Sequence, residues 1–133
     1  MRRVVVDTSV LAAITFGEST APEWSIRLDG ATLYAPTLLQ YEMANVARKK
    51  CRQHPERTRE ILMALELTLD PRKGIIWMDP NPMDVVVLSN ATGLSPYDAS
   101  YMWLAGFLGA DLVTRDRALA AAVDPYTGVE LVE

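Results

Sequence analysis

Histidine and cysteine are nearly missing from this chain, with one of each in 133 residues. The single cysteine, Cys51, can close no internal bridge, which fits a reducing, cytoplasmic setting. The single histidine, His54, stands beside Pro55 at a break between two helical stretches and reads as a loop residue. With no second histidine, a metal-free ribonuclease mechanism built on a histidine pair is excluded. No apolar run approaches the ~20 residues of a membrane span, so no membrane association is expected. Arg2 and Arg3 are followed by an apolar run that Asp7 interrupts at once, which is not the pattern of a secretory signal. No glycine-rich phosphate loop of the nucleotide-triphosphatase type occurs. Repeats, low-complexity tracts and linkers are also absent.

Basic residues are the minority, 13 against 17 acids, for a net charge of −4. That balance alone argues against a nucleic-acid partner. The distribution argues differently, because Arg48, Lys49, Lys50, Arg52, Arg57 and Arg59 fall in one segment. Such a run is either a solvated helix end or a phosphate contact. If four acids form one metal site, the other 13 balance the 13 bases. The overall charge then neither supports nor excludes a phosphate-rich partner.

Half of the residues are hydrophobic, enough for one core in a chain of this length. Short β-branched runs alternate with helical stretches. Strands are expected at Arg3–Val6, Thr32–Ala35, Gly74–Met78 and Asp111–Val113, with an edge strand at Val129–Val132. Helices are expected after Thr8 or Ser9 as N-cap, over Glu18–Leu28, from Thr37 as N-cap to about Cys51, and on to Leu69. Further helices open at Asn81-Pro82 and Ser95-Pro96, and one runs from about Asp116 to Val123. This alternation predicts an α/β fold over residues 1–133, with a parallel sheet of four to five strands covered on both faces. Ligands of such sheets sit at the carboxyl ends of the strands.

Four acids occupy such places. Asp7 directly follows the first strand, although a turn or capping aspartate would look the same. Glu42 interrupts an apolar helix stripe formed by Leu38, Leu39 and Val46, where an unpartnered carboxylate is costly. Its plain alternative is a pair with Arg48 or Lys49 at the stripe's edge. Asp98 stands third in Ser95-Pro96-Tyr97-Asp98, a capping-box-like start. Asn81-Pro82-Met83-Asp84 has the same pattern, so capping alone does not single out Asp98. Its helix, apolar all round, reads as the more central one. Asp116 follows the short fourth strand and could itself be only an N-cap. At ~5 Å and an effective dielectric of ~20, each pair of carboxylates repels by about 3 kcal/mol. A converging set therefore needs protons or cations. Hard oxygen donors without His or Cys favour Mg²⁺ or Mn²⁺, and two such ions could activate a water and stabilise the leaving oxygen of a phosphodiester.

These stretches resemble the four motifs of the PIN-domain family, and the likeness extends over nearly the whole chain. Val4-Val5-Val6-Asp7-Thr8-Ser9 is similar to the first, Leu39-Gln40-Tyr41-Glu42-Met43-Ala44 to the second, Leu94-Ser95-Pro96-Tyr97-Asp98-Ala99 to the third and Leu112-Val113-Thr114-Arg115-Asp116 to the fourth. Order, spacing and length resemble the VapC-like toxins. The resemblance implies a three-layer α/β/α domain and a metal-binding quartet of Asp7, Glu42, Asp98 and Asp116. Thr114 would be the neighbouring hydroxyl. It further implies a Mg²⁺- or Mn²⁺-dependent endoribonuclease, usually a homodimer, silenced by a cognate antitoxin. The chain departs from some relatives after Asp116, where Arg117-Ala118-Leu119 stands in place of a further acid.

Two other functions compete. A catalytically silent PIN-fold binding module would show loss of a motif acid, and none is lost. An Asp-nucleophile phosphohydrolase of the haloacid-dehalogenase type would need a second Asp at position 9, which is Ser9. Arg115 and Arg117 flank Asp116 and are better placed than the Arg48–Arg59 run to meet a phosphate near the site. Trp24, Trp77 and Trp103 are expected in the core or at an interface.

Overall fold

Three consecutive valines explain the centre of the molecule. Val4, Val5 and Val6 are fully buried, as required of a strand covered on both faces. The computed structural model describes residues 2–18, 25–126 and 128–131. The valines lie in β1 (Arg3–Val6), followed by α1 (Thr8–Thr15) and β2 (Thr32–Ala35). Then come α2 (Leu38–Gln53), α3 (Thr58–Leu69) and β3 (Ile75–Trp77). The chain continues through α4 (Pro82–Thr92), α5 (Pro96–Leu108), β4 (Asp111–Thr114), α6 (Arg117–Val123) and β5 (Val129–Leu131). The helix expected over Glu18–Leu28 falls partly outside the described residues; positions 25–27 are helical. Val132, expected in the last strand, also lies outside them.

All five strands are parallel, in the order β3-β2-β1-β4-β5. Right-handed crossovers place α1, α2 and α3 on one face and α4, α5 and α6 on the other. The contacts agree: α1 packs on α2 and α2 on α3, while α5 lies over β1 and β4 with α4 against it. The helices that follow β1 and β4 therefore leave towards opposite faces. The gap between these strands is the topological switch point, where a parallel sheet opens a crevice at its carboxyl edge.

Two expected caps are corrected. Asp7, rather than Thr8 or Ser9, caps α1, its Oδ1 accepting from the Val10 amide. A carboxylate one residue earlier completes the first turn and leaves both hydroxyls for other partners. Thr37 makes no side-chain cap for α2. Its amide and hydroxyl both donate to Asp79 at 2.8 Å, so the residue that opens the helix is held by the segment after β3. At α5 the expectation holds: Ser95 Oγ accepts from the Asp98 amide at 3.1 Å, and Pro96 follows the cap.

Leu39 and Met43, on one stripe of α2, are fully buried. They fix which way the next turn of the helix faces, and with it Glu42. Leu39→Ala is expected to cost about 3 kcal/mol by leaving a cavity. Urea unfolding would show this as a lower midpoint at unchanged slope.

Candidate metal and phosphodiester site

Asp7 is 6% exposed, a rare condition for a carboxylate. Its partners are all neutral. Ser9 Oγ donates to Oδ1 at 2.6 Å, the Val10 amide donates to the same oxygen, and Thr114 Oγ1 makes a short bond to Oδ2. Burial pushes the Asp7 pKa up, the hydroxyl and amide donors pull it back in part, and the charge of Asp116 adds to the rise. Thr114, fully buried at the end of β4, also accepts from the Asp116 amide at 2.9 Å. One hydroxyl thus bridges the ends of the two strands that border the switch point. Asp116 caps α6, its Oδ1 accepting from the Leu119 amide at 3.1 Å.

The remaining two acids come from opposite layers. Glu42 is half-buried on α2 and pairs with neither Arg48 nor Lys49. Its Oε1 accepts from Tyr101 Oη at 2.5 Å and from Thr8 Oγ1 at 3.0 Å. Asp98, half-buried in the first turn of α5, has its pKa raised by burial, then by the charges of Asp116 and Glu42. Hydrogen bonds link Asp7, Thr114 and Asp116, and charge couples Asp7 to Asp116 and Asp98 to both Asp116 and Glu42, which puts the five residues in one neighbourhood at the carboxyl edge of the sheet. The rival Asp84 is exposed on α4 and exerts no such influence on Asp98. The pattern shared by the two helix starts is therefore a cap in both, and only Asp98 faces other acids.

Three residues of this network went unrecognised in the sequence. Thr8 and Ser9 were expected as caps and instead serve the carboxylates. Tyr101 looked like one more apolar member of α5. It is 2% exposed, and burial together with the bond to Glu42 drives its pKa far upward, keeping it a phenol donor. A signal was present: Tyr101 lies three residues after Asp98, on the same helix face. Tyr101→Phe is expected to cost about 1–2 kcal/mol, since a donor to a charged group is lost while Thr8 remains. It should also weaken Mn²⁺ binding about tenfold through loss of Glu42 orientation. Thermal melts and calorimetric titration would measure both, and an unchanged affinity would show that Glu42 does not depend on Tyr101.

Arg115 corrects another expectation. Its guanidinium reaches Glu18 at 3.1 Å, and Lys50 approaches the same carboxylate at 3.9 Å. Its amide donates to Ser9 Oγ at 3.1 Å. The side chain expected to meet a phosphate therefore ties the end of α1 to α2 and to the loop after β4. Of the other singled-out residues, His54 is exposed beside Glu56 and Cys51 is a free thiol. Trp77 and Trp103 pack against the core, while Trp24 lies outside the described residues.

Among the described residues no Lys or Arg pairs with Asp7, Glu42, Asp98 or Asp116. Nor do any three His, Cys, Asp or Glu side chains among them form a ready-made metal cage. Asp7 gives both oxygens to protein donors and Glu42 gives one. Even so, the donor set fits a hard divalent cation in kind, being all oxygen and acidic.

The match of a family model to residues 4–124 identifies the lineage, its description being "PIN domain". This chain belongs to the PIN-domain family. PIN domains are in general nucleases. No curated protein matches the sequence. Among solved structures, this PIN domain is similar to PAE2754 from Pyrobaculum aerophilum, at 26% identity and TM-score 0.73, over 96% of this chain and 90% of the other. It shares its fold with VapBC2 from Rickettsia felis, solved bound to a DNA fragment from their promoter, at 13% identity and TM-score 0.67, covering 97% and 98%. FitAcB from Neisseria gonorrhoeae is similar at 16% identity and TM-score 0.56, covering 95% of each chain. Among the described residues no helix is long and apolar enough to cross a membrane.

Proposed function

We propose that this PIN domain is a Mg²⁺- or Mn²⁺-dependent endoribonuclease and the toxin of a toxin–antitoxin pair. The nuclease assignment is supported by the electrostatic coupling among four acids from four separate elements near the switch point, two of which, Asp7 and Glu42, accept only from neutral donors. A cluster of that kind attracts cations and repels a bare phosphodiester. When bound, a divalent ion supplies the positive charge that lets carboxylates and phosphodiester meet, and lowers the pKa of an attacking water. Asp7, Asp98, Asp116 and Glu42 would hold it. Thr114 and Ser9 fix the Asp7 carboxylate, and Tyr101 and Thr8 fix Glu42, so these two ligands are oriented before any ion arrives.

The fold shared with VapBC2 and FitAcB supports a cognate antitoxin as partner. A second copy of the chain is supported by apolar side chains left on the outer sides of α4 and α5. Met83, Val87 and Phe107 are 71%, 69% and 65% exposed, and Phe107 stacks on Trp103 with ring centroids 4.9 Å apart. Contiguous apolar surface of this kind marks an interface.

The test is cleavage of a mixed tRNA and rRNA pool by purified protein in Mg²⁺, Mn²⁺ or EDTA, beside Asp98→Asn. Discrete cuts lost in EDTA, and reduced about 10²-fold in the variant, are expected. Cutting that persists undiminished in Asp98→Asn would remove Asp98 from the site. A folded, metal-binding protein that cuts nothing would point to a binding module.

A further inference from the structure

The basic run between Arg48 and Arg59 divides in the structure. Lys50 and Arg57 have acid partners, Glu18 at 3.9 Å and Glu60 at 3.3 Å. Arg48, Lys49 and Arg52 are exposed on α2 and pair with no acid among the described residues. In a chain with 17 acids against 13 bases, such a group of cations stands apart from the overall charge.

Helix geometry gives the group a direction. Tyr41, Asn45, Arg48 and Arg52 recur at helical spacing, so they form one row. All four are exposed, on the side of α2 away from the buried Leu39, Met43 and Ala47. Lys49 lies beside this row, on the same face as Glu42 and about two turns further along. Because α2 starts at the carboxyl edge of the sheet, the row leads away from the acids. At ~1.5 Å per residue, Lys49 stands ~10 Å and Arg52 ~15 Å beyond Glu42 along the axis. Tyr41, 77% exposed, opens the row next to Glu42.

We infer that this row is a track for single-stranded RNA to one side of the cut, with Arg48, Lys49 and Arg52 on the phosphates and Tyr41 stacking a base. The inference rests on the nuclease reading above, because a strand cut at the acids must continue past them. The chemistry of the row favours RNA over a protein partner. The centre of a protein interface is depleted of charge and holds apolar anchors. This row carries three cations and no aliphatic side chain. The exposed Leu62, Met63 and Leu67 belong to α3 instead. Successive cations beside an open aromatic ring match the repeating charge and the flat bases of an unpaired strand.

The experiment measures binding of a fluorescein-labelled RNA of about twenty nucleotides to the full-length protein, by anisotropy in EDTA, from about 0.05 to about 0.5 M sodium chloride. Arg48→Gln, Lys49→Gln and Arg52→Gln together should lower the slope of log affinity against log salt by about 2, and weaken binding at least about tenfold at ~0.1 M. Arg3→Gln, Arg57→Gln and Arg72→Gln together remove the same charge elsewhere and should change the slope by less than about 0.5. All six residues are exposed, so both triple variants should melt close to the wild type. Tyr41→Ala should weaken RNA binding about fivefold at unchanged slope, since stacking carries no charge. Equal loss of slope in the two triple variants overturns the inference, because net charge alone would then explain it. RNA affinity indifferent to Tyr41→Ala, or a polyglutamate peptide of the same length that binds as tightly as the RNA, also overturns it and makes the row a docking face for an acidic protein. Mn²⁺-dependent cutting separates the two readings. Cutting by a protein whose salt slope ignores the first triple variant removes the track and leaves the nuclease. A track that meets every expectation on a protein that cuts nothing removes the nuclease and leaves RNA binding.

Discussion

Asp7→Asn should abolish metal-dependent RNA cleavage, by about 10³-fold or more, and yet melt at a higher temperature than the wild type in EDTA. The loss follows from removing the most buried of the four charges, at the level expected when one charge-stabilising group is taken from a reaction centre. The gain follows from the cost of holding that charge out of water. The Asp7 pKa lies above its ordinary value of 3.8, chiefly through burial. Between 3.8 and the raised value the native state binds more protons than the unfolded chain. Stability contributed by this group is therefore lost as pH rises through that interval, and the full penalty is present at neutrality. Asparagine is nearly the same shape and carries no charge. Its carbonyl can still accept from Ser9 and the Val10 amide. Melting curves in EDTA between pH 4 and 7 should converge for the two proteins at the acid end and separate towards neutrality. If the variant melts lower at every pH, the carboxylate is a structural asset and the assignment fails.

Adding Mn²⁺ at about one hundred times its dissociation constant should stabilise the wild type by about 2.7 kcal/mol. In a chain of this size that is a rise of roughly 10 °C in melting temperature. An ion that relieves repulsion among Asp7, Asp98 and Asp116 also displaces protons from the two groups whose pKa values are raised, Asp7 and Asp98. Binding should therefore release protons at mildly acid pH and weaken as the pH falls. Asp98→Asn should reduce both the thermal shift and the proton release. A shift no larger than that from sodium chloride at equal ionic strength would mean that the acids do not form a metal site.

The order of strands and helices was legible because valine runs, proline and glycine punctuate this chain sharply. Gly93 and Gly109, for example, end α4 and α5 at φ +77 and +59, where other residues are strained. The acids were legible one by one from their places after strands or within an apolar stripe. What local pattern could not supply was partnership across distance. Asp84 and Asp98 share one cap geometry, and only the packing of α5 over β1 and β4 separates them. Thr37 and Asp79 meet across 42 positions, Glu42 and Tyr101 across 59. Arg115 was assigned to phosphate because it flanks Asp116, but its backbone follows β4 towards Ser9 and its side chain meets Glu18. In each case a hydroxyl or guanidinium had several chemically reasonable partners, and the tertiary fold chose among them.

The central strand is also the first to be made. β2, its partner on one side, follows it closely in sequence, but its partner on the other side is β4, whose Val113 stands opposite Val6. Thr114 and Asp116 complete the crevice only once β4 has been made. At ~10 residues per second, translation takes roughly ten seconds to travel from Asp7 to Asp116. Throughout that interval the growing polypeptide carries an unfinished sheet edge and half a site. The neighbourhood of Asp7 and Thr114 is therefore completed only when nearly all of the described chain has been made.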